Sequence, residues 1–193
     1  MKKMYLLLLA GLLGLVCCTG GGDRDSRNTP GQVTKLPDPD DQIDQALMIA
    51  LSQAKNFHHK AKVYMTDANL PDAIGAVREI LAIEFPAGAP EAEDVRLDAY
   101  AMLAKLLLAS GKPEDAMKAV DDGIAEKTRD SFFLANLYTV KGEIHEAQAA
   151  DLDPQAEQAR ALRRAAIGAY DHSIQINEAL QKQLAQDVQG APE

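Results

Sequence analysis

The segment SGKPEDA, residues 110–116, joins two apolar stretches and carries the signals that end one helix and start another. Gly111 favours the left-handed conformation that closes a helix. Pro113 suits the first turn of the next helix. Glu114 and Asp115, which follow it, are favourable near the positive N-terminal end of that helix. A similar segment, ANLPDA, occupies residues 68–73, with Asn69 expected in the glycine's role. Because such short turns force neighbouring helices to run antiparallel, the two segments predict two helical hairpins.

The helix before the first turn is predicted from one long stripe of apolar and small residues. They recur in alternating steps of four and three: Ile43, Leu47, Ala50, Ala54, Phe57, Ala61 and Tyr64. This spacing keeps them on one face of a helix of about six turns. Asp38 suits the cap of that helix and Pro39 its first position. The rest of the body, residues 38–186, has helical spacing without strand-like alternation, so the sequence predicts an all-α domain.

Three stretches of this body resemble the tetratricopeptide repeat (TPR). The middle stretch, Leu97 to Asp130, carries the pattern most fully: Tyr100, Leu103, Ala104, Leu107, Gly111, Pro113, Ala116, Val120 and Gly123. An earlier stretch, about Ala54 to Ala87, departs by placing Lys60 where the repeat has Leu. A third stretch is divided by an insertion around residues 151–154, where helices lengthen or a short one is added. The resemblance implies an α-solenoid of stacked antiparallel helix pairs.

Gly123, Gly142 and Gly168 lie inside predicted helices, where each costs about 1 kcal/mol relative to alanine. Stacked hairpins need close backbone approach, and a missing Cβ allows it. We therefore expect each of the three at a tight helix–helix contact.

The beginning of the chain has the pattern of a secretory signal, with Met1-Lys2-Lys3 before an apolar run from Met4 to Val16. The run is shorter than the roughly 20 residues that a membrane-spanning helix needs. It ends at the only cysteines of the chain, Cys17 and Cys18. A disulfide between adjacent cysteines is strained, and no further cysteine is present for a metal site.

This stretch resembles the lipobox of bacterial lipoproteins, in which a cysteine after the cleavage point carries lipid. The resemblance implies lipidation of Cys18, because Cys17 then takes the small position before the cut. The alternative, Cys17, would put the bulky Val16 there. Acyl chains such as palmitate would anchor the mature chain stably. Thr19 is not the Asp that signals inner-membrane retention in that family, which implies the periplasmic face of the outer membrane.

Composition separates the anchor from the body and excludes one class of partner. Residues 18–37 lack an apolar period and are predicted to be a flexible linker, and residues 187–193 a disordered tail. The chain has 20 basic and 29 acidic residues, a formal charge of −9, and loss of the two signal lysines leaves 18 against 29, or −11. Because an acidic protein repels phosphate backbones, nucleic acid is not an expected partner.

No catalytic or metal-binding motif is recognised in the sequence. His58 and His59 are adjacent, so they point about 100° apart on a helix and do not converge on one metal. His145 lacks the second histidine of the helical zinc motif and is expected in a core or groove role. There is no nucleophile elbow and, with Cys18 acylated, no thiol nucleophile. We therefore expect no enzyme, no metal and no cofactor.

A small basic cluster is interpreted as a solvated helix face or, alternatively, a docking spot for an acidic partner: Arg160, Arg163 and Arg164.

In TPR proteins the first helices of the pairs line a concave surface that binds extended peptides or a partner helix. The resemblance therefore implies a groove lined by residues of three helices: Lys55, His58, Lys62 and Met65; Asp98, Ala101, Lys105 and Leu108; and Asn136, Thr139, Glu143 and Glu146. Lys62 and Lys105 suggest that the groove binds an acidic end of a peptide. The leading hypothesis is a lipid-anchored envelope scaffold or adaptor that binds a protein or peptide partner and assists assembly of an envelope complex. The alternative is a binder of cell wall or of a small ligand with weak hydrolase activity in the groove.

Overall fold

The structure is a computed structural model that describes residues 39–190, with side chains described for residues 45–187. The predicted signal, both candidate lipidation cysteines and the linker lie outside these residues. Six α-helices form the described part: α1 Pro39–Thr66, α2 Leu70–Leu81, α3 Pro90–Ala109, α4 Pro113–Glu126, α5 Phe132–Ala150 and α6 Glu157–Gly190. All regular secondary structure in this range is helical, which confirms the predicted all-α class.

Consecutive helices pack as three pairs, α1 with α2, α3 with α4 and α5 with α6. The central helix is α3, which packs against α1, α2, α4 and α5. One continuous core runs through these helices, and its largest fully buried side chains are Leu97, Leu134, Leu137, Ile144, Val77, Val120 and Val140. α3 is therefore held on several sides, which fixes the surface that it shares with α1.

Helix α1 begins at Pro39, as predicted. Among the described side chains of its stripe, Ala50, Ala54 and Ala61 are buried, and Phe57 and Tyr64 are half-buried against the core. The helix has 28 residues and α2 only 12, so α2 is too short to cover the full length of α1. The opposite face of α1 leaves Met48, Ile49 and Val63 exposed.

The two short turns share a geometry that differs from the sequence prediction at one residue. Gly111 has a φ of +72°, as expected, but in the first turn the left-handed residue is Ala68, with a φ of +56°. Asn69 is instead the N-cap of α2, and its side-chain oxygen accepts a hydrogen bond from the Asp72 N–H at 3.4 Å. The assignment of the left-handed position to Asn69 was wrong because Pro71 is the second residue of its helix, whereas Pro113 is the first.

Of the three glycines expected at tight helix contacts, two lie at one. A Cβ on Gly123 would lie 2.9 Å from Tyr100 Cβ and 3.0 Å from Leu137 Cδ1. A Cβ on Gly142 would lie 2.6 Å from Cζ of Tyr170. Gly168 has no such neighbour within 4 Å and is exposed, so the expectation of close packing was wrong there. It lies on a face of α6 that no other described helix covers.

The insertion around residues 151–154 lengthens the last pair rather than adding a helix. α5 has 19 residues and α6 has 34, joined by a short connection. The two helices are tied by the hydroxyls of Thr139 and Ser173, 2.9 Å apart, and by the Tyr170 hydroxyl, which donates to Glu146 at 2.6 Å. α6 continues to Gly190, four residues past the helical boundary that the sequence predicted.

Candidate binding groove

Two adjoining clefts lie between α1 and α3, and together they are called here the α1–α3 groove. The N-terminal cleft, named for the end of α3 that lines it, has a volume of about 410 Å³ and is lined by Leu51, Ala54, Lys55, His58, Ile80, Glu91, Asp94, Val95, Asp98, Ala99, Met102 and Phe133. The C-terminal cleft, of about 370 Å³, is lined by His58, Met65, Leu70, Asp98, Ala101, Met102, Lys105, Leu106, Ala109 and Asn136. His58, Asp98 and Met102 line both clefts, so the two form one continuous surface.

Helical spacing places the lining residues on one face of each helix. On α3, Glu91, Asp94, Asp98, Ala101 and Lys105 follow one another in steps of three, four, three and four, which keeps them in one row. Buried alanines on both helices form part of the floor and leave space above it. The lining on α1 runs from Leu51 to Met65, which is 14 residue steps, or about 21 Å of helix axis. An extended chain of about six residues spans that length.

The N-terminal cleft brings charged groups next to apolar ones. Asp94 Oδ2 pairs with Nη2 of Arg129 at 2.7 Å, and Asp94 Oδ1 is buried without a hydrogen-bond partner among the described residues. Partial burial, together with the nearby Lys62, lowers the pKa of His58, although Asp98 opposes that shift. In the C-terminal cleft, Lys105 Nζ lies 3.4 Å from a carboxylate oxygen of Glu143.

The structure brings together seven of the twelve groove residues that the sequence proposed: Lys55, His58, Met65, Asp98, Ala101, Lys105 and Asn136. Two others lie beside it, since Lys62 influences His58 and Glu143 pairs with Lys105.

The three remaining residues do not line the α1–α3 groove. Leu108 is half-buried and packs on the core. Thr139 and Glu146 instead bond to residues of α6, and Glu146 does so while it stays exposed.

Sequence reasoning missed several residues of the N-terminal cleft. Glu91 and Asp94 precede Asp98 by seven and four residues, so the helical spacing alone places all three on one face of α3. Ile80 of α2 and Phe133 of α5 come from other helices than the two that form the cleft, and nothing in the local sequence indicates that they reach it. Phe133 is packed edge-on against Phe132 with ring centroids 5.7 Å apart.

A separate polar cluster fastens the α4–α5 connection to α3. Arg96 forms a bidentate pair with Glu126 at 2.7 and 3.1 Å and donates to the Leu81 carbonyl at 3.0 Å. The Tyr100 hydroxyl also donates to Glu126 at 2.7 Å, and burial together with that carboxylate raises the Tyr100 pKa to about 12.

Glu93 adds a second link in this cluster, since it accepts hydrogen bonds from the backbone N–H and the hydroxyl of Thr128. These groups also line a cleft of about 490 Å³. Because they satisfy one another, we interpret this cluster as structural.

The remaining polar candidates have local roles or no assigned one. Two arginines of the basic cluster of α6 contact the connection before that helix, since Arg160 donates to Gln155 and Arg163 to the Pro154 carbonyl. Arg164 donates to Glu157 within α6. All three are exposed, which favours the interpretation as a solvated helix face. His145 is half-buried, and that burial lowers its pKa.

Within the described residues, no cluster of three or more His, Cys, Asp or Glu side chains is placed to hold a metal ion. None of the helices described is both long and apolar enough to cross a membrane. Comparisons with protein-family models, with curated proteins and with solved structures found no match for this chain.

Proposed function

We propose that the chain is a non-catalytic adaptor of the bacterial envelope, anchored by lipid on Cys18 or alternatively Cys17, that binds an extended segment of a protein partner and assists assembly of an envelope complex. The observation that carries the proposal is the α1–α3 groove. It combines an apolar floor with a charged rim over about 21 Å, a length suited to a short extended peptide.

The order of helix contacts supports a TPR-like solenoid as the framework of this adaptor. Each first helix of a pair packs on the next first helix, α1 on α3 and α3 on α5, while α2 packs on α3 and α4 on α5. In such an arrangement the first helices share one side of the stack, and the groove lies on that side. The close contacts at Gly123 and Gly142 are those that stacked hairpins require.

The binding proposal is tested by co-purification of the full chain from detergent-solubilised envelope. Met65 and Ala109 are exposed residues at the C-terminal cleft, so Met65→Arg with Ala109→Arg obstructs that cleft without entering the core. Val63→Arg is the matched control, because Val63 is 60% exposed on α1 but does not line the groove. We expect a defined partner with the wild type and the control, and its loss with the double variant. Equal recovery from all three would refute the groove as the binding surface.

The anchor is tested independently by intact mass spectrometry of the protein extracted from membranes. We expect a mass that begins at Cys18 and includes acyl chains, and Cys18→Ser should abolish it while Cys17→Ser should not. A mass that begins at an unmodified Met1 contradicts the lipoprotein assignment.

One observation favours the second candidate, a cell-wall or small-ligand binder with weak hydrolase activity. His58 lies in the groove near Asp98, and a histidine near a carboxylate is a combination used in acid–base catalysis. No hydrogen bond joins His58 to a carboxylate in the described part of the chain. Hydrolysis of muropeptides that is lost in both His58→Ala and Asp98→Asn would support this candidate over the adaptor.

A further inference from the structure

We propose that the N-terminal cleft of the α1–α3 groove binds a lysine or arginine side chain of the partner, next to a large apolar side chain in the same cleft. This inference rests on the proposed adaptor function and adds the chemistry of the segment that is bound.

The apolar half of the site comes from four helices. Leu51 of α1, Ile80 of α2, Val95 and Met102 of α3, and Phe133 of α5 line the cleft. Its volume of about 410 Å³ lies within the range of ligand-binding clefts, and an aromatic and a flexible methionine in the lining favour contact with a large apolar side chain. Burial of such a side chain supplies affinity, but it does not select the charge of its neighbour.

The charge of the cleft makes that selection. Three carboxylates line it, on Glu91, Asp94 and Asp98. Glu91 and Asp98 form no ion pair within the described part of the chain, whereas Asp94 uses one oxygen for Arg129. Lys55 is the single permanently charged cation in the lining. A cationic group is therefore attracted to this cleft, and an anionic one is repelled.

Asp94 contributes less to this charge than the other two carboxylates. Its Oδ2 is paired with Arg129, and its Oδ1 is buried without a hydrogen-bond partner among the described residues, so a side chain that enters the cleft does not reach that oxygen. The attraction of a cation to the cleft therefore rests on Glu91 and Asp98.

The charge of the bound group is therefore opposite to the acidic peptide end that Lys62 and Lys105 indicated in the sequence. Lys62 does not line either cleft, and Lys105 is paired with Glu143 at 3.4 Å. The positive charge that would have attracted an acidic peptide end is therefore partly neutralised, while two carboxylates of the N-terminal cleft remain unpaired within the described part of the chain.

The test measures binding of three fluorescein-labelled 12-residue peptides to the purified full chain in detergent, by fluorescence anisotropy. The peptides share a central Leu-Phe pair and differ only in the residue before it, which is Lys, Gln or Glu. We expect the Lys peptide to bind about tenfold more tightly than the Gln peptide, and the Glu peptide to bind most weakly. Raising the salt concentration should reduce the difference, because the carboxylates are partly exposed.

Charge removal within the cleft gives the decisive comparison. Glu91→Gln with Asp98→Asn should reduce the preference for Lys over Gln to less than about threefold. Asp171→Asn with Glu178→Gln is the matched control, because both residues are exposed on α6 and lie outside the groove. Circular dichroism of both double variants checks that each is folded.

The outcomes separate this inference from the adaptor function. If the three peptides bind equally, or if the cleft variant keeps the preference, the inference is overturned. It is also overturned if no peptide binds, or if the cleft variant dissociates a dimer of the chain, which would make a second copy the occupant. In each case co-purification with Met65→Arg and Ala109→Arg still decides whether the groove binds a partner.

Discussion

The contact between Gly142 and Tyr170 allows a sharp test of how α5 and α6 pack. In Gly142→Ala the new Cβ would lie 2.6 Å from Cζ and 2.8 Å from Cδ1 of the tyrosine ring, closer than the 3.0 Å below which real Cβ contacts essentially never occur. The ring must therefore move. Its hydroxyl donates to Glu146 at 2.6 Å, so the movement also disturbs that hydrogen bond.

Three effects set the change in the free energy of unfolding, two that lower it and one that raises it. Overpacking costs about 1–3 kcal/mol, and loss of the hydrogen bond adds about 1 kcal/mol because the acceptor is exposed. The higher helix propensity of alanine offsets about 1 kcal/mol of this loss of stability. We expect Gly142→Ala to lower the free energy of unfolding by about 1–3 kcal/mol.

Gly168→Ala is the matched control, since it makes the same chemical change in a helix where a Cβ meets nothing within 4 Å. We expect it to raise the free energy of unfolding by about 0.5–1 kcal/mol. Urea unfolding of the full chain, followed by circular dichroism at the helical band, measures both variants. The close-packing argument fails if the two differ by less than about 0.5 kcal/mol. A smaller effect of Gly142→Ala in a Tyr170→Ala background would identify the ring as the cause.

Three further predictions concern other parts of the fold. Gly123→Leu should lower the free energy of unfolding by several kcal/mol, about 3 or more, because even a Cβ there meets Tyr100; a loss below about 0.5 kcal/mol in urea unfolding contradicts this packing. Ala68→Gly should raise the thermal midpoint, since it relieves about 1 kcal/mol of left-handed strain at a φ of +56°, and an unchanged midpoint would refute that strain. Glu126 should stabilise the fold above its unfolded-state pKa and lose that effect as pH falls through the folded-state pKa, which Arg96 lowers. Glu126→Gln should therefore show a smaller loss of unfolding free energy between pH 6 and pH 3 than the wild type, and an equal loss would contradict the linkage.

The two polar regions on α3 have different consequences. Glu93, Arg96 and Tyr100 satisfy their hydrogen bonds within the chain and hold the α4–α5 connection, so we expect their substitution to change stability. Glu91 and Asp98, which form no ion pair in the part of the chain that the structure describes, should instead change binding. This difference gives a practical rule for choosing variants of α3.

Much of the helical framework could be predicted because its signals are local. A stripe in steps of three and four, a proline at a first turn and a glycine at a helix end each act within a few residues. They placed the start of α1 at Pro39 and the closing turn at Gly111. The error at Asn69 has the same local origin, because Pro71 occupies the second helical position and shifts the left-handed residue to Ala68.

The sequence by itself determined the class of fold, the turns between helices, and a row of α3 residues that share one face. Only the tertiary structure decided what each face meets. Thr139 and Glu146 have helical spacing suited to a groove, yet they bond to α6, while Phe133 and Ile80 reach a cleft between two other helices. The physical reason is that helical periodicity fixes which residues share a face, whereas the rotation and packing of neighbouring helices fix which face is buried, lined or left open.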